Sequence, residues 1–497
     1  MTPPPEAPTY SQIACIGIGL SAIALGATLQ RWYGFDDICF FDRHPEGGGT
    51  WYINSYPGCA CDAPGALYSY SFELNPNWAK VMPSNEEIKQ YYDQVVDKYR
   101  LRDKMRHSVE VTKSIWMEEA NRWLLYLRDV NSGEIYTHEC QVLFAATGSL
   151  IEPRSCEIAG VETFNGPIFH SARWEHDVGL EGKDVIVVGN GCSATQIIPA
   201  IAWKVKSLTQ IIRSQHWVFP AANVPYGPLI RWIFRHIPFT MRLHRFYLFI
   251  RLENDLRLFP MTKAAAKLRQ GLRAQVEGYM RAVAPTKYHD ILIPDFDVCC
   301  KRRVFDCGYL QSLNNDNILL TNAKIERILP DGIETGQGII PADVIVLATG
   351  FRTNRFVSSI DVVGRDGKSL DEHWAQYGGP TAYNCSVVHG FPNFFMLLGP
   401  NAATGHTSAL MAIEKYTFSL LTLTLLPPTN KVLNSSVNYA LRILKPVLEG
   451  TVSAVGIKGE AEQSYAHRVQ EALSKQVWNS GCVSVRIFAS SHLRLEW

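Results

Sequence analysis

No two of the twelve cysteines stand in a C-x-x-C pair; the closest are Cys59 with Cys61 and Cys299 with Cys300. That spacing excludes a zinc ribbon and a small-domain disulfide framework, and it fits a reducing, cytoplasmic compartment. Long apolar runs are also missing. Only residues 13–29, IACIGIGLSAIALGATL, come near the roughly 18 apolar residues of a membrane helix. The segment before them, MTPPPEAPTYSQ, lacks the Lys or Arg of a secretory leader. Charge of one sign is not in excess either: 48 Lys and Arg against 47 Asp and Glu leave a net +1. No nucleic acid or strongly acidic partner is expected. What remains is globular, with 46% hydrophobic and 19% charged residues, and 497 residues suffice for two or three domains.

Two glycine-rich turns stand out, GIGLSA at 17–22 and GNGCSA at 189–194. Each follows an apolar strand pattern and opens a helix pattern. Gly17 would make the sharp bend, Gly19 would let the backbone approach a pyrophosphate, and Ala22 would allow close helix packing. The helix after the turn would aim its first amides at phosphate. Asp42 ends the next strand, about twenty residues on, where a carboxylate can accept ribose hydroxyls. Gly189, Asn190, Gly191, Ser193, Ala194 and Thr195 repeat this arrangement, but Arg213 and Ser214 replace the acid. A cation there suits a 2′-phosphate. Two nucleotide pockets in one chain imply electron transfer between them, with FAD at the first turn and NADPH at the second.

The expected fold class is α/β with two Rossmann-like dinucleotide-binding domains. The FAD domain would begin over 1–150, and the NADPH domain would occupy 165–347 with a helical insertion at about 226–282. Residues 348–497 would return to the FAD domain. Alternating strand–helix units are expected up to VLFAATG at 142–148, and both sheets are expected to be parallel.

Residues 48–62 read GGTWYINSYPGCACD, and residues 164–175 read FNGPIFHSARWE. Together these resemble the Baeyer–Villiger monooxygenases, a branch of the class B flavoprotein monooxygenases. Phe164, Gly166, His170 and Trp174 match the family's long signature, although Glu175 replaces its final Pro or Asp. Gly49, Trp51, Tyr56, Pro57, Gly58 and Asp62 match the second signature in full. Trp174 separates the chain from related N-oxidising flavin monooxygenases, which carry Tyr there. The resemblance spans roughly residues 12–480.

The resemblance implies NADPH-driven insertion of one oxygen atom from O2 into a ketone or aldehyde. Arg302 would reach the flavin and stabilise an oxygen anion and then a tetrahedral adduct. Asp62 would hold its guanidinium as a bidentate partner. The Lys-Arg-Arg run leaves open whether Arg302 or Arg303 faces the flavin. Lys301 would join Arg213 on the 2′-phosphate. Ala60, Cys61 and Asp62 would lie between the two cofactors, and Thr50, Trp51 and Tyr68 would line the flavin. For His170 a conformational role is favoured over proton transfer or a purely structural one. The turn at 397–414 would present amides to the flavin, with His406 as part of it. Near the C-terminus, Val485-Arg486 replaces an aromatic pair usual in the family, which bears on the substrate pocket.

Two other activities stand beside this one. The same flavin could oxygenate a heteroatom or hydroxylate, or the chain could bind flavin without turnover. A dithiol reductase is disfavoured because Cys59 and Cys61 are too close. A bulky polyketide or terpenoid ketone is the suggested substrate; oligomeric state is not legible. The Arg-rich stretch at 226–259 has two readings. It is either a membrane-touching surface helix or an insertion covering the substrate channel. The second is favoured because Trp232, Phe234 and Phe246 call for a core.

Overall fold

The computed structural model describes residues 8–353, 355–357, 360–402, 408–414 and 436–480. His406 and Val485-Arg486 therefore lie outside the described residues.

The first sheet is built around β1 (Thr9–Ile16). Its residues Ile13, Ala14 and Cys15 are fully buried, as expected of a central strand covered on both faces. β2 (Ile38–Phe41) pairs with it in parallel on one side, followed by the two-residue β3 (Met105–Arg106). Helix α1 (Leu20–Tyr33) provides the crossover, and the short α2 (Thr50–Ile53) and the longer α3 (Asn85–Lys98) come next. A capping box at Ser84 and Glu87 starts α3.

Between β3 and the end of the first segment the chain departs from strand–helix alternation. β4 (Val109–Met117), β5 (Arg122–Asp129) and β6 (Ile135–Ala145) form an antiparallel meander, so this sheet is mixed. The reason is local. Left-handed backbone at Asn121 (φ 49°) and Gly133 (φ 76°) turns the chain back sharply, leaving no room for a crossover helix. The far half of β6 then pairs in parallel with β1. Side chains of β1, such as Ala14 and Ile16, share a second core with Trp123, Leu125 and Leu127 of the meander.

The second sheet contains β7 (Ile168–His170), β8 (Asp184–Val188) and β9 (Ser207–Ile211), with α4 (Cys192–Ile201) joining the last two. Two short strands, β10 (Val218–Pro220) and β11 (Val304–Asp306), pair apart from it. β12 (Ile318–Thr321) returns to the second sheet. A small antiparallel meander, β13 (Ile325–Leu329), β14 (Gly332–Thr335) and β15 (Gly338–Pro341), leads to β16 (Val344–Leu347). The second sheet is parallel throughout, in the order β12-β9-β8-β16-β7. After it, β17 (Asp361–Val363) and β18 (Phe394–Met396) pair with β4 and β6 of the first sheet.

Helices α5 (Pro228–His236), α6 (Thr240–Glu253) and α7 (Lys263–Val283) interrupt the second unit. α7 buries Val276 and Met280 against the core of the second sheet. It is pinned by Arg269, 3% exposed, which bonds Asp297 at 2.9 Å and the carbonyls of Leu258 and Pro260. The expectation of a core for α5 and α6 is corrected. Phe234 does pack on the first core, but Trp232 is 52% exposed and Phe246 37%. Among the described residues no helix is long and apolar enough to cross a membrane.

His138 on β6 is buried between Ser11 Oγ at 2.9 Å and Thr9 Oγ1 at 2.8 Å. Burial, with help from Arg106, pushes it from 6.5 down to about 4. The unfolded chain therefore takes up this proton first as pH falls, and stability is lost between about 6.5 and about 4. His138→Gln should flatten the decline in Tm between about pH 7 and about pH 5, measured by thermal melts across that range.

Candidate functional site

Both glycine turns have the geometry of a phosphate cradle. Gly17 sits at φ +102°, and a Cβ there would lie 2.6 Å from the Ala146 carbonyl oxygen. Gly189 sits at φ +136°, and its Cβ would lie 2.3 Å from the Ala348 carbonyl oxygen. No other residue fits at either bend. At Gly191 a Cβ would meet nothing within 4 Å, so open space begins at that point. Helices α1 and α4 start without a side-chain cap and without an acid in the first turn. Their leading amides are thus available to a diphosphate.

Asp42 closes the first turn. Its Oδ2 accepts the Ile18 amide at 2.8 Å and its Oδ1 accepts the His44 amide at 3.0 Å. Burial works to raise this carboxyl, but the His44 and Ile18 hydrogen bonds outweigh it and hold it below the usual carboxylate range. The Gly-Gly-Gly loop lies directly over the turn, since a Cβ on Gly49 would come 3.0 Å from the Gly19 Cα. Trp51 follows on α2, buried, with its indole N–H donating to the Tyr68 hydroxyl at 3.0 Å. The adjacent Thr50 gives its carbonyl to Asn54 at 2.9 Å.

The segment Tyr56–Asp62 links the two sheets. Tyr56 donates to Gln196 Oε1 at 2.9 Å, and Gln196 Nε2 donates to the Ala60 carbonyl at 3.1 Å. Gly58, at φ +80°, rests on α4 so closely that a Cβ would lie 2.6 Å from the Gln196 carbonyl oxygen. Cys61 is buried, and Asp62 emerges next to Arg302. Arg302 Nε donates to Asp62 Oδ2 at 2.9 Å, and Nη2 donates to the same oxygen. This is a side-on pair on one oxygen, not the two-oxygen fork expected of a bidentate partner. The Asp62 carboxylate, acting against burial, holds the guanidinium proton more firmly than usual. Arg303 turns elsewhere, donating to Asp255 at 2.7 Å. Left-handed Cys299 (φ 68°) precedes this run.

Lys301 points a third way. Its ammonium lies 4.7 Å from the Phe296 ring centroid and donates to the Gln215 carbonyl at 3.3 Å. Burial and then Arg213 push its pKa down, so two cations repel each other at this spot. Such a pair is stabilised by a dianion placed between them. Ser214 supplies its carbonyl to Asn190 Nδ2 at 3.2 Å. In α4, Ala194 is fully buried and Thr195 is turned inward, its hydroxyl donating to the Cys192 carbonyl at 3.1 Å. Tyr56 lies close enough to the Ser193 hydroxyl to feel it.

His170 ends β7. Its Nδ1 accepts the Ala172 amide at 3.0 Å, which places the proton on Nε2. Burial pushes it down to about 4, so the ring is neutral at physiological pH. Nε2 is buried near the Gly350 backbone, and Phe351 stands edge-on at 5.6 Å. Gly166, four residues earlier, is a steric requirement: a Cβ would lie 2.2 Å from the Asp343 carbonyl oxygen. Trp174 meets Phe169 edge-on at 5.1 Å.

Known proteins resemble this chain in sequence and fold. Residues 68–229 match the family described as flavin-binding monooxygenase-like. A Baeyer–Villiger monooxygenase of Pseudomonas aeruginosa is 32% identical over 97% of this chain and 86% of its own length. One of Streptomyces coelicolor is also 32% identical, over 98% of this chain and 89% of its own. The chain belongs to the Baeyer–Villiger monooxygenase family. Membership makes it an enzyme, an FAD-dependent monooxygenase driven by NADPH. The solved structure of an oxidised steroid monooxygenase bound to NADP superposes with a TM-score of 0.78, at 25% identity, covering 97% of this chain and 95% of that one.

Several residues that shape the candidate site of this monooxygenase carry no motif. Asn85 donates to the carbonyls of Trp51 and Asn54 at 2.7 and 2.8 Å and so fixes α2. Gln210 joins Tyr309 at 2.8 Å and the Gly189 carbonyl at 2.8 Å, bracing the second turn from behind. His216, half-buried, with a buried Nδ1 that lacks a partner among the described residues, is pushed down to about 4 by burial and by Lys301. Ten described cysteines are free. The thiol of Cys192, beside Arg302, is pushed up to about 11 by burial and then by Asp62, and stays neutral. Gly58→Ala should destabilise by about 1–3 kcal/mol, because it adds a clash to a left-handed backbone. A lower denaturation midpoint with a loosened flavin, read by fluorescence, is the expected result.

Proposed function

We propose that this monooxygenase inserts one atom of O2 next to the carbonyl of a bulky ketone, giving an ester or lactone, with Arg302 stabilising the charge that develops. When bound, NADPH supplies a hydride and FAD uses it to activate O2. The turn at 17–22, with Asp42, Gly49, Thr50, Trp51 and Tyr68, would hold FAD. The turn at 189–194, with Arg213, Ser214 and Lys301, would hold NADPH. The observation that carries this reading is the Arg302–Asp62 pair, formed by residues from different nucleotide-binding units at the point where those units meet.

The role of Arg302 follows from its surroundings. Asp62 fixes the guanidinium, and the side chain remains half exposed, at 50%. A guanidinium held fully protonated cannot act as a proton donor at neutral pH. It acts instead as a fixed positive charge that lowers the energy of an oxygen anion without reorganising. Stabilising the anion favours attack on an electrophilic carbonyl carbon over transfer to a sulfur or nitrogen lone pair. His170, neutral and shielded, suits a conformational role. The likeness to a steroid monooxygenase supports a ketone of polycyclic size, such as a terpenoid or polyketide intermediate.

Arg302→Ala should retain bleaching of the flavin by NADPH while oxygenation falls about 10²- to 10³-fold, measured by stopped-flow and product analysis. Undiminished product formation would overturn the role of Arg302. A sulfoxide as sole product, when one ketone and one sulfide are offered together, would overturn the ketone assignment. Lys301→Ala should raise KM for NADPH about tenfold or more and leave KM for NADH unchanged, in steady-state assays with each coenzyme.

A further inference from the structure

The solvent face of α5 and α6 is built against the usual rule for a surface helix. On α6 the residues Phe239, Leu243, Tyr247 and Ile250 follow helical spacing along one outward stripe. Leu243 is 65% exposed and Phe239, at the helix entrance, 67%. On α5, Leu229 is 70% exposed, and no residue of that helix is buried. The inner face of α6 is apolar too: Met241 and Leu248 pack on the first core, while Arg245 donates to the carbonyls of Ala66 and Ser69. Folding has thus left a contiguous apolar stripe outside, which proteins that stay free in water seldom do.

The charges around the stripe identify its occupant. Residues 226–252 contain five arginines and no Asp or Glu. Among the described residues Arg235, Arg242 and Arg251 meet neutral groups, not carboxylates: Arg235 donates to Asn77, Arg251 donates to the Tyr247 hydroxyl at 3.5 Å, and Arg242 lies over the Phe239 ring. The whole chain has a net charge of only +1. A second copy docking face to face would oppose one row of arginines to another, so self-association is disfavoured. A surface that is apolar within and anionic at its boundary matches both features.

We propose that α5 and α6 seat this enzyme on an anionic phospholipid surface. Trp232, Phe239 and Leu243 enter the headgroup–acyl boundary, and Arg235, Arg242 and Arg251 meet the headgroups. With nine and fourteen residues the helices lie on the bilayer rather than cross it. Arg245 ties α6 to the carbonyls flanking Tyr68, so the docked face stands behind that segment. The inference is independent of the role given to Arg302.

The test is sedimentation of the full-length holoenzyme with vesicles of phosphatidylcholine alone or mixed with phosphatidylglycerol. The enzyme should bind the mixed vesicles at least about tenfold more tightly than the neutral ones, and salt should weaken the binding. Trp232→Ser with Leu243→Ser should abolish binding while leaving the melting curve and NADPH oxidation unchanged. Arg242→Gln with Arg251→Gln should remove the preference for anionic vesicles. Absence of binding to either vesicle, or undiminished binding by the serine variant, would overturn the proposal. So would a dimer in solution that the serine variant dissociates, because the occupant would then be a second copy.

Discussion

The Arg302–Asp62 ion pair joins two separately wound sheets. Arg302 belongs to the segment before β11, and Asp62 ends the loop after α2, so the pair forms only when the two nucleotide folds are docked. That docking has its own scaffold: Tyr56, Gly58 and Ala60 all rest on Gln196 of α4. The contacts are short, polar and backbone-directed, and they leave little freedom for the loop to slide. A charge placed by such a frame needs no rearrangement when an anion appears, which is where electrostatic stabilisation is strongest. The rest of the structure either builds the two folds or holds this frame.

Both folds open their first helix without a side-chain cap, yet the residues that close the two turns differ. At the first, a carboxylate and a neighbouring His44 close the turn. At the second, Lys301 and Arg213 crowd each other, and the half-buried His216 feels Lys301 as well. Positive charge compressed in this manner is stabilised by a bound dianion, and that gives a physical reason for preferring a phosphorylated coenzyme.

What the sequence revealed was what lies close together along the chain. The glycine turns were legible because strand, bend and helix fall within about thirty residues of each other. The paired signatures pointed to the family because their residues are sterically obligatory, as Gly166 and Gly58 show. The antiparallel meander was not legible as such: β4 pairs with β5 across a register shift, and the turn at Asn121 carries neither Gly nor Pro. Asn85, Gln196 and Gln210 gave no signal at all, because a single amide in a helix or strand shows its importance only once its distant partners are known. The aromatic residues of α5 and α6 misled, since exposed and buried apolar stripes have the same periodicity.

Lys301, Arg302 and Arg303 are consecutive, yet each serves a different neighbour: the Gln215 carbonyl beside Arg213, the loop at Asp62 and the insertion at Asp255. Three arms leave one short peptide in three directions. Their identities are set by register, with left-handed Cys299 fixing where the count begins. Lengthening or shortening this run by one residue would hand each cation its neighbour's task, and no substitution elsewhere could restore all three at once. The segment can therefore drift in composition around its cations but not in length.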